Sequence, residues 1–302
     1  MSGRFSVVLL PLIFLAIWLV RRSRRPLELH SPRQGAALDG YRRAVGWRWA
    51  GLCLGVAAAA LSASRGSLGL GLMLAPTVFG LCVIAGVIVG ELATIPRRGG
   101  VRSAALETRT IGGFVPRRLG GLVAASTLGL GALLVTTTLM GSADDMGRPG
   151  RSLSRMCSPD TAEGRGPWPG QFYSVPLGIA VVLGLLVAAV ALRTVVLRPR
   201  SGTAPDLVAA DDVLRRRSAE AVVAAAGVMV AASLLGVALT SGVALVGFAR
   251  PPASWTILGF ALLAVGALMF LLALWCLALL LSGPSIRPTE SVDTVAAGRA
   301  AP

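Results

Sequence analysis

Seven apolar stretches alternate along this chain with loops into which almost all of its arginines are sorted. A helix needs about 20 mainly apolar residues to cross the hydrocarbon core of a bilayer. The stretches are Phe5–Val20, Gly46–Ala63, Leu68–Gly90, Leu119–Gly141, Val175–Leu197, Ala221–Val243 and Trp255–Ser282. The loops between them are too short to hold a separate soluble domain of ordinary size. With 54% of residues hydrophobic and 14% charged, the chain falls among membrane proteins on composition as well. The expected fold is therefore all-α: a single membrane domain over residues 1–302, a polytopic transmembrane bundle of about seven spans.

The arginines orient it. Cytoplasmic loops carry an excess of basic residues, and the chain contains no lysine, so arginine alone reports the bias. Residues 21–45 hold seven arginines, 91–118 six, and 193–218 six, whereas the long loop 142–174 holds four against Asp144, Asp145, Asp160 and Glu163. Counting loops alternately from an external amino terminus places 22 arginines in the cytoplasm and seven outside. The expected topology thus has the amino terminus outside, the carboxyl terminus inside, an outer loop at 142–174, and basic cytoplasmic loops at 21–45, 91–118 and 198–218. Trp18, Trp47 and Trp49 fall at the inner boundary, and Phe172, Tyr173 and Trp255 at the outer one, as interfacial rings do. The net charge of +15 is accounted for by these loops, so no nucleic-acid partner is expected.

The first stretch has the length of a signal-peptide core but ends in Arg21, Arg22, Arg24 and Arg25, with no A-x-A-like site before them. It reads as an uncleaved anchor. Two basic loops look alike: Ile95-Pro96-Arg97-Arg98-Gly99 closing with Pro116-Arg117-Arg118, and Arg198-Pro199-Arg200-Ser201-Gly202 closing with Arg215-Arg216-Arg217. Either they mark a parallel internal repeat of spans three–four and five–six, as in some carriers, or juxtamembrane arginines converged. Within the second loop, Leu207, Ala210 and Leu214 share one helical face, with Asp206 as N-cap after Pro205. A short interfacial helix under the bundle is expected there.

Small residues point to close helix contacts. Gly86 and Gly90 make a GxxxG pair, and Gly227 with Ala231 a similar one. They suit packing within one chain or formation of a homo-oligomer. Pro11 and Pro76 are expected to kink their spans.

No site chemistry follows from the pattern. An ionisable group inside a membrane is a functional candidate by default. Arg48, Glu91, Arg193 and Glu220 qualify by sequence, but each is expected at a cytoplasmic span end, where long side chains reach water. The neutral candidates are Thr136, Thr137, Thr138, Ser233, Thr240 and Ser241, expected to bond their own helix backbone. His30 is the sole histidine, which excludes a His-based metal site or a Ser–His hydrolase, and the absence of lysine excludes a retinal Schiff base. Cys53, Cys82 and Cys276 fall within spans, leaving Cys157 as the only external thiol. The outer acids lack the ordered spacing of a calcium loop. Catalytic, cofactor-binding and metal-binding residues: none; cofactors: none.

The outer loop is the least generic segment. Gly166-Pro-Trp-Pro-Gly specifies a turn, and Trp168, Phe172 and Tyr173 are expected to rest on the membrane surface. That loop, together with Gly90-Glu91-Leu92 and the Pro-Arg-Arg-Gly segment after it, resembles a family of actinobacterial, streptomycete-like integral membrane proteins. The resemblance implies a bacterial plasma-membrane localisation and no particular activity. The functional expectation is a multi-pass, non-enzymatic accessory or interaction component, with the lipid bilayer and other membrane proteins as partners. The rival is a transporter or permease subunit for a neutral or lipid-like substrate. An outer carboxylate pair, Asp144–Asp145, serving a membrane enzyme is a third reading.

Overall fold

The computed structural model describes residues 18, 22, 27–29, 34–65, 67–93, 113–158, 161–197, 205–282 and 286–288. Six helices carry the fold: α1 (Gln34–Arg65), α2 (Leu70–Ala93), α3 (Arg117–Met140), α4 (Gln171–Leu197), α5 (Pro205–Val246) and α6 (Ala253–Leu281). Each contains a stretch long and apolar enough to cross a membrane. They match six of the seven expected spans within a few residues, except at two helix starts discussed below. The first expected span, with Pro11, lies outside the described residues apart from Trp18.

Helix α5 is the axis of the bundle. It packs against each of the other five helices, most extensively α6. Within its apolar stretch 78% of residues are buried, against 17% for α6. The sequence explains the placement: Ala221–Ala226 and Val228–Ala231 offer apolar, mostly small or β-branched side chains on every face, with no polar stripe to turn outward. A helix apolar all round belongs in the interior.

The start of α5 corrects the sequence reading. Residues 205–218 do not form a separate helix lying beneath the bundle; they are the first turns of one continuous helix of 42 residues. No glycine or proline falls between Pro205 and Gly227 to interrupt it. The pairs Arg215–Asp211 and Arg217–Glu220 support the same stretch at i,i+4 and i,i+3 spacing. At 1.5 Å per residue the helix is about 63 Å long, roughly twice the hydrocarbon thickness, so one end must project. Asp206 sits in the first turn rather than at the N-cap. Likewise α1 begins at Gln34, twelve residues ahead of its apolar stretch.

Helices α1 and α2 form an antiparallel pair at close range. A Cβ added at Gly86 would lie 2.7 Å from the Trp47 carbonyl oxygen and 2.9 Å from the Gly51 Cα. At Gly90 it would approach Ala44 at 3.0 Å. The Gly86/Gly90 pair is thus used within the chain, and Gly51 is its counterpart on α1. The second small-residue site is internal too, since Gly227 faces Cys276 and Val123. Helix α2 runs on through Pro76. The tight link between α1 and α2 is a 3₁₀ turn, Ser67–Gly69, in which Leu68 takes φ +56° and leaves its expected span.

Helices α2 and α3 make no substantial contact, whereas α4 packs along α5. The two halves of the suggested repeat therefore differ in their internal packing. Of the two look-alike loops, 94–112 and 198–204 lie outside the described residues.

The expected outer loop carries regular structure in its described residues. It folds into an antiparallel hairpin of β2 (Leu153–Ser158) and β3 (Thr161–Arg165), with Leu153 opposite Arg165 and a bulge between Met156 and Ser158. At the opposite end of the bundle, β1 (Leu27–Leu29) pairs in parallel with β4 (Ile286–Pro288). The hairpin end gathers the α1–α2 turn, the 141–170 segment and the α5–α6 turn; the other end gathers Glu91, Val196 and the start of α5.

Candidate functional site

The end of the bundle away from the hairpin assembles a buried charged cluster from four helices. Arg215 of α5, whose side chain is 1% exposed, donates Nε–H to Asp211 Oδ2 at 2.8 Å. Its Nη1 reaches the Val196 carbonyl at 2.9 Å. Val196 lies in the last turn of α4, where carbonyls lack intrahelical donors and a cation is favoured. One turn along α5, the Ser218 hydroxyl donates to Glu91 Oε1 of α2 at 2.5 Å. Glu91 stands near the C-terminus of its helix, where the dipole disfavours an acid, so this bond and its burial against α5 matter to its placement.

Arg48 of α1 completes the cluster and is its anomaly. It is 7% exposed, and its Nε and Nη2 have no hydrogen-bond partner among the described residues. A small cavity of about 10 Å³ lies against it, lined also by Glu91, Ser218, Val87 and Ala44. That is room for one water. A buried donor left unsatisfied costs about 1–3 kcal/mol, more when charged.

This placement corrects the expectation for two of the four ionisable candidates. Arg48 and Glu91 do not reach water; they turn inward against α5. Arg193 is exposed, as expected. Glu220 is half-buried and binds Arg217 at 3.2 Å. Asp211, Arg215 and Ser218 were missed as site residues. The Asp211-x-x-x-Arg215 spacing is the legible signal, an i,i+4 acid–base pair within the stretch expected as an interfacial helix.

Among the hydroxyls, Thr136 and Thr137 bond Leu133 and Leu134 carbonyls, Thr240 bonds Gly236, and Thr138 bonds both Leu134 and Ser174. Ser233 and Ser241 depart from that pattern: with Thr77 they are buried without a hydrogen-bond partner among the described residues. Among the described residues no three His, Cys, Asp or Glu side chains gather as metal ligands. His30 lies outside the described residues. Cys53, Cys82 and Cys276 are unpaired thiols on α1, α2 and α6.

The hairpin end is built around two buried aromatics, which corrects their expected place on the membrane surface. Trp168 is 2% exposed and donates Nε1–H to the Thr137 carbonyl. It packs with Leu153, Leu245 and Phe248, and Phe248 meets Trp255 edge to face at 5.3 Å. Tyr173 is buried and donates its hydroxyl to the Leu68 carbonyl at 2.6 Å, pinning the strained turn. Phe172 is half-buried beneath the Arg151 guanidinium.

Asp144 organises the loop before the hairpin. It accepts the Met146 and Arg148 backbone N–H groups at 3.1 and 2.8 Å, and the Arg148 and Arg151 guanidinium groups at 3.0 and 2.6 Å. Partial burial acts to raise its pKa. The two backbone bonds and the Arg148 side chain together outweigh that and hold the carboxyl below its ordinary value. Asp145 is exposed and shares none of these bonds, so the suggested carboxylate pair is not assembled. Glu163 binds Arg165 and the Ala249 N–H; Asp160 lies outside the described residues.

Comparison with protein-family models, with curated proteins and with solved structures found no match to this chain.

Proposed function

We propose that this chain is a multi-pass component of the bacterial plasma membrane that acts through interactions rather than catalysis. In this reading the amino terminus is outside and the carboxyl terminus inside. The observation that carries it is α5 filling the axis of the bundle. Its small side chains are sealed by five helices, and the ionisable groups of the described helices stand at the two ends. A proton-coupled carrier or a charge-ringed pore needs ionisable groups along a path. Among the described residues, Arg42, Arg43, Arg48, Arg117, Arg118, Arg193 and Arg215–Arg217 stand on the helix ends opposite the hairpin, which supports assigning that end to the cytoplasm.

Reporter fusions test the orientation. A reporter active only outside the cytoplasm is expected to be active after Gly150 and inactive after Gly100 or Pro302; activity at Pro302 overturns the odd span count. Photo-crosslinkers at Leu128 and Phe260, both exposed on the bundle surface, test the interaction role in native membranes. A discrete protein adduct is expected, and lipid adducts alone at every lipid-facing position overturn it.

A second reading, a permease subunit for a lipid-like substrate, is favoured by one feature. A cavity of about 360 Å³ opens along α5 at Leu239, Thr240, Val243 and Ala244, beneath Pro167 of the hairpin segment. Its size suits a small apolar ligand. Uptake into liposomes that exceeds protein-free controls would favour that reading over the first.

A further inference from the structure

We infer that Arg48 binds the phosphate of a phospholipid headgroup at the end of the bundle opposite the hairpin. The two donors without partners, Nε and Nη2, lie side by side on one edge of the guanidinium. That edge presents two N–H groups that converge on a single phosphate oxygen, which is the size of the space of about 10 Å³ beside it. Arg48 is 7% exposed, so bulk water at the surface does not solvate this edge.

The surroundings narrow the ligand. The walls Ala44, Val45, Val87 and Ala221 are short and apolar, and the space of about 10 Å³ admits the tip of a group rather than a whole solute. This suits a headgroup whose bulk stays in the bilayer. Trp47 and Trp49 flank Arg48 in sequence and are 47% and 41% exposed, the placement of rings at headgroup level. Glu91 on the same wall adds a negative charge. It disfavours a doubly charged phosphate monoester and favours a singly charged phosphodiester, best one that also carries an ammonium group. Phosphatidylethanolamine has both. The inference rests on the membrane reading above, which retention of the chain in carbonate-washed membranes tests separately.

The experiment is a titration of the purified full chain in a phosphate-free detergent, followed by thermal unfolding. Dioctanoyl phosphatidylethanolamine is expected to raise the midpoint, and dioctanoylglycerol, with the same chains and no phosphate, to leave it unchanged. Arg48→Gln is expected to weaken the apparent affinity at least tenfold, Arg48→Lys to recover part of it, and Arg193→Gln, at an exposed site, to match the unmodified chain. Equal stabilisation by dioctanoylglycerol overturns the inference, as does an unchanged affinity in Arg48→Gln. Should Arg48→Gln fail to fold, the comparison of the two lipids on the unmodified chain still decides. Saturation by inorganic phosphate, with no added effect of the lipid, assigns the fork to free phosphate and overturns the lipid source.

Discussion

Trp168 donates its indole N–H to the backbone carbonyl of Thr137 at 2.8 Å, joining the hairpin segment to the last turn of α3. The final carbonyls of a helix have no intrahelical donor. The Gly141 N–H goes to Thr138, which leaves the Thr137 carbonyl for the indole. The hairpin segment is thus a cap for the bundle.

Trp168→Phe keeps most of the apolar volume and removes the donor. It is expected to lower stability by about 1–3 kcal/mol, the cost of a buried carbonyl left unpaired. Trp168→Ala adds a cavity and is expected to cost about 3–5 kcal/mol. Thermal unfolding in detergent reads both, and a phenylalanine variant as stable as the parent would show that the bond contributes nothing.

Asp144 makes the cap sensitive to acid. Its folded pKa is held below the ordinary 3.8, so its stabilising effect is complete above that value. The effect is lost as pH falls below it, through the lowered folded value. Protease cleavage between Ser142 and Gly170 is expected to be slow at neutral pH and to accelerate below about pH 4. In Asp144→Asn the loop should be cleaved faster at neutral pH and lose that acid step. An identical pH profile in the variant would remove Asp144 from the account.

The glycines separate close approach from lipid exposure. Gly86→Ala would push a methyl against the Trp47 carbonyl and the Gly51 Cα, both backbone, so the helices must part. The expected loss is about 1–3 kcal/mol, as for overpacking elsewhere. Gly131 on α3 has open space around it, and Gly131→Ala is expected to be neutral or stabilising by about 0.5–1 kcal/mol. Gly86→Leu should reduce folded yield further. Equal stability of the two alanine variants would mean that α1 and α2 do not meet at Gly86.

Cys157 stands on β2 at the hairpin end, while the other three cysteines lie on helices. An impermeant maleimide applied to intact protoplasts is expected to label the chain once, and Cys157→Ser to abolish the labelling. Any disulfide must then join two chains through Cys157. Labelling that persists in the serine variant would place another thiol in water and displace the span around it.

Much of the helical layout was legible in the sequence because the bilayer-length rule acts locally: an apolar run of sufficient length is a helix whatever surrounds it. The six described helices follow from that; the small-residue pairs marked Gly86 and Gly227 as close contacts, and the structure placed those contacts within the chain. Three matters depended on the tertiary structure. The run Asp206–Ser218 has an amphipathic face that fits a membrane surface or a helix groove equally well, and only the position of α2 and α4 turned Asp211, Arg215 and Ser218 inward. Arg48 looked free to reach water, but which side of α1 meets α2 and α5 is set by packing that periodicity does not report. Trp168 read as an interfacial ring because its partners, Thr137 and Phe248, are far along the chain. Local hydrophobicity determined where the helices are; the choice of which faces touch, and hence which charges are buried, was made by contacts between residues distant in sequence.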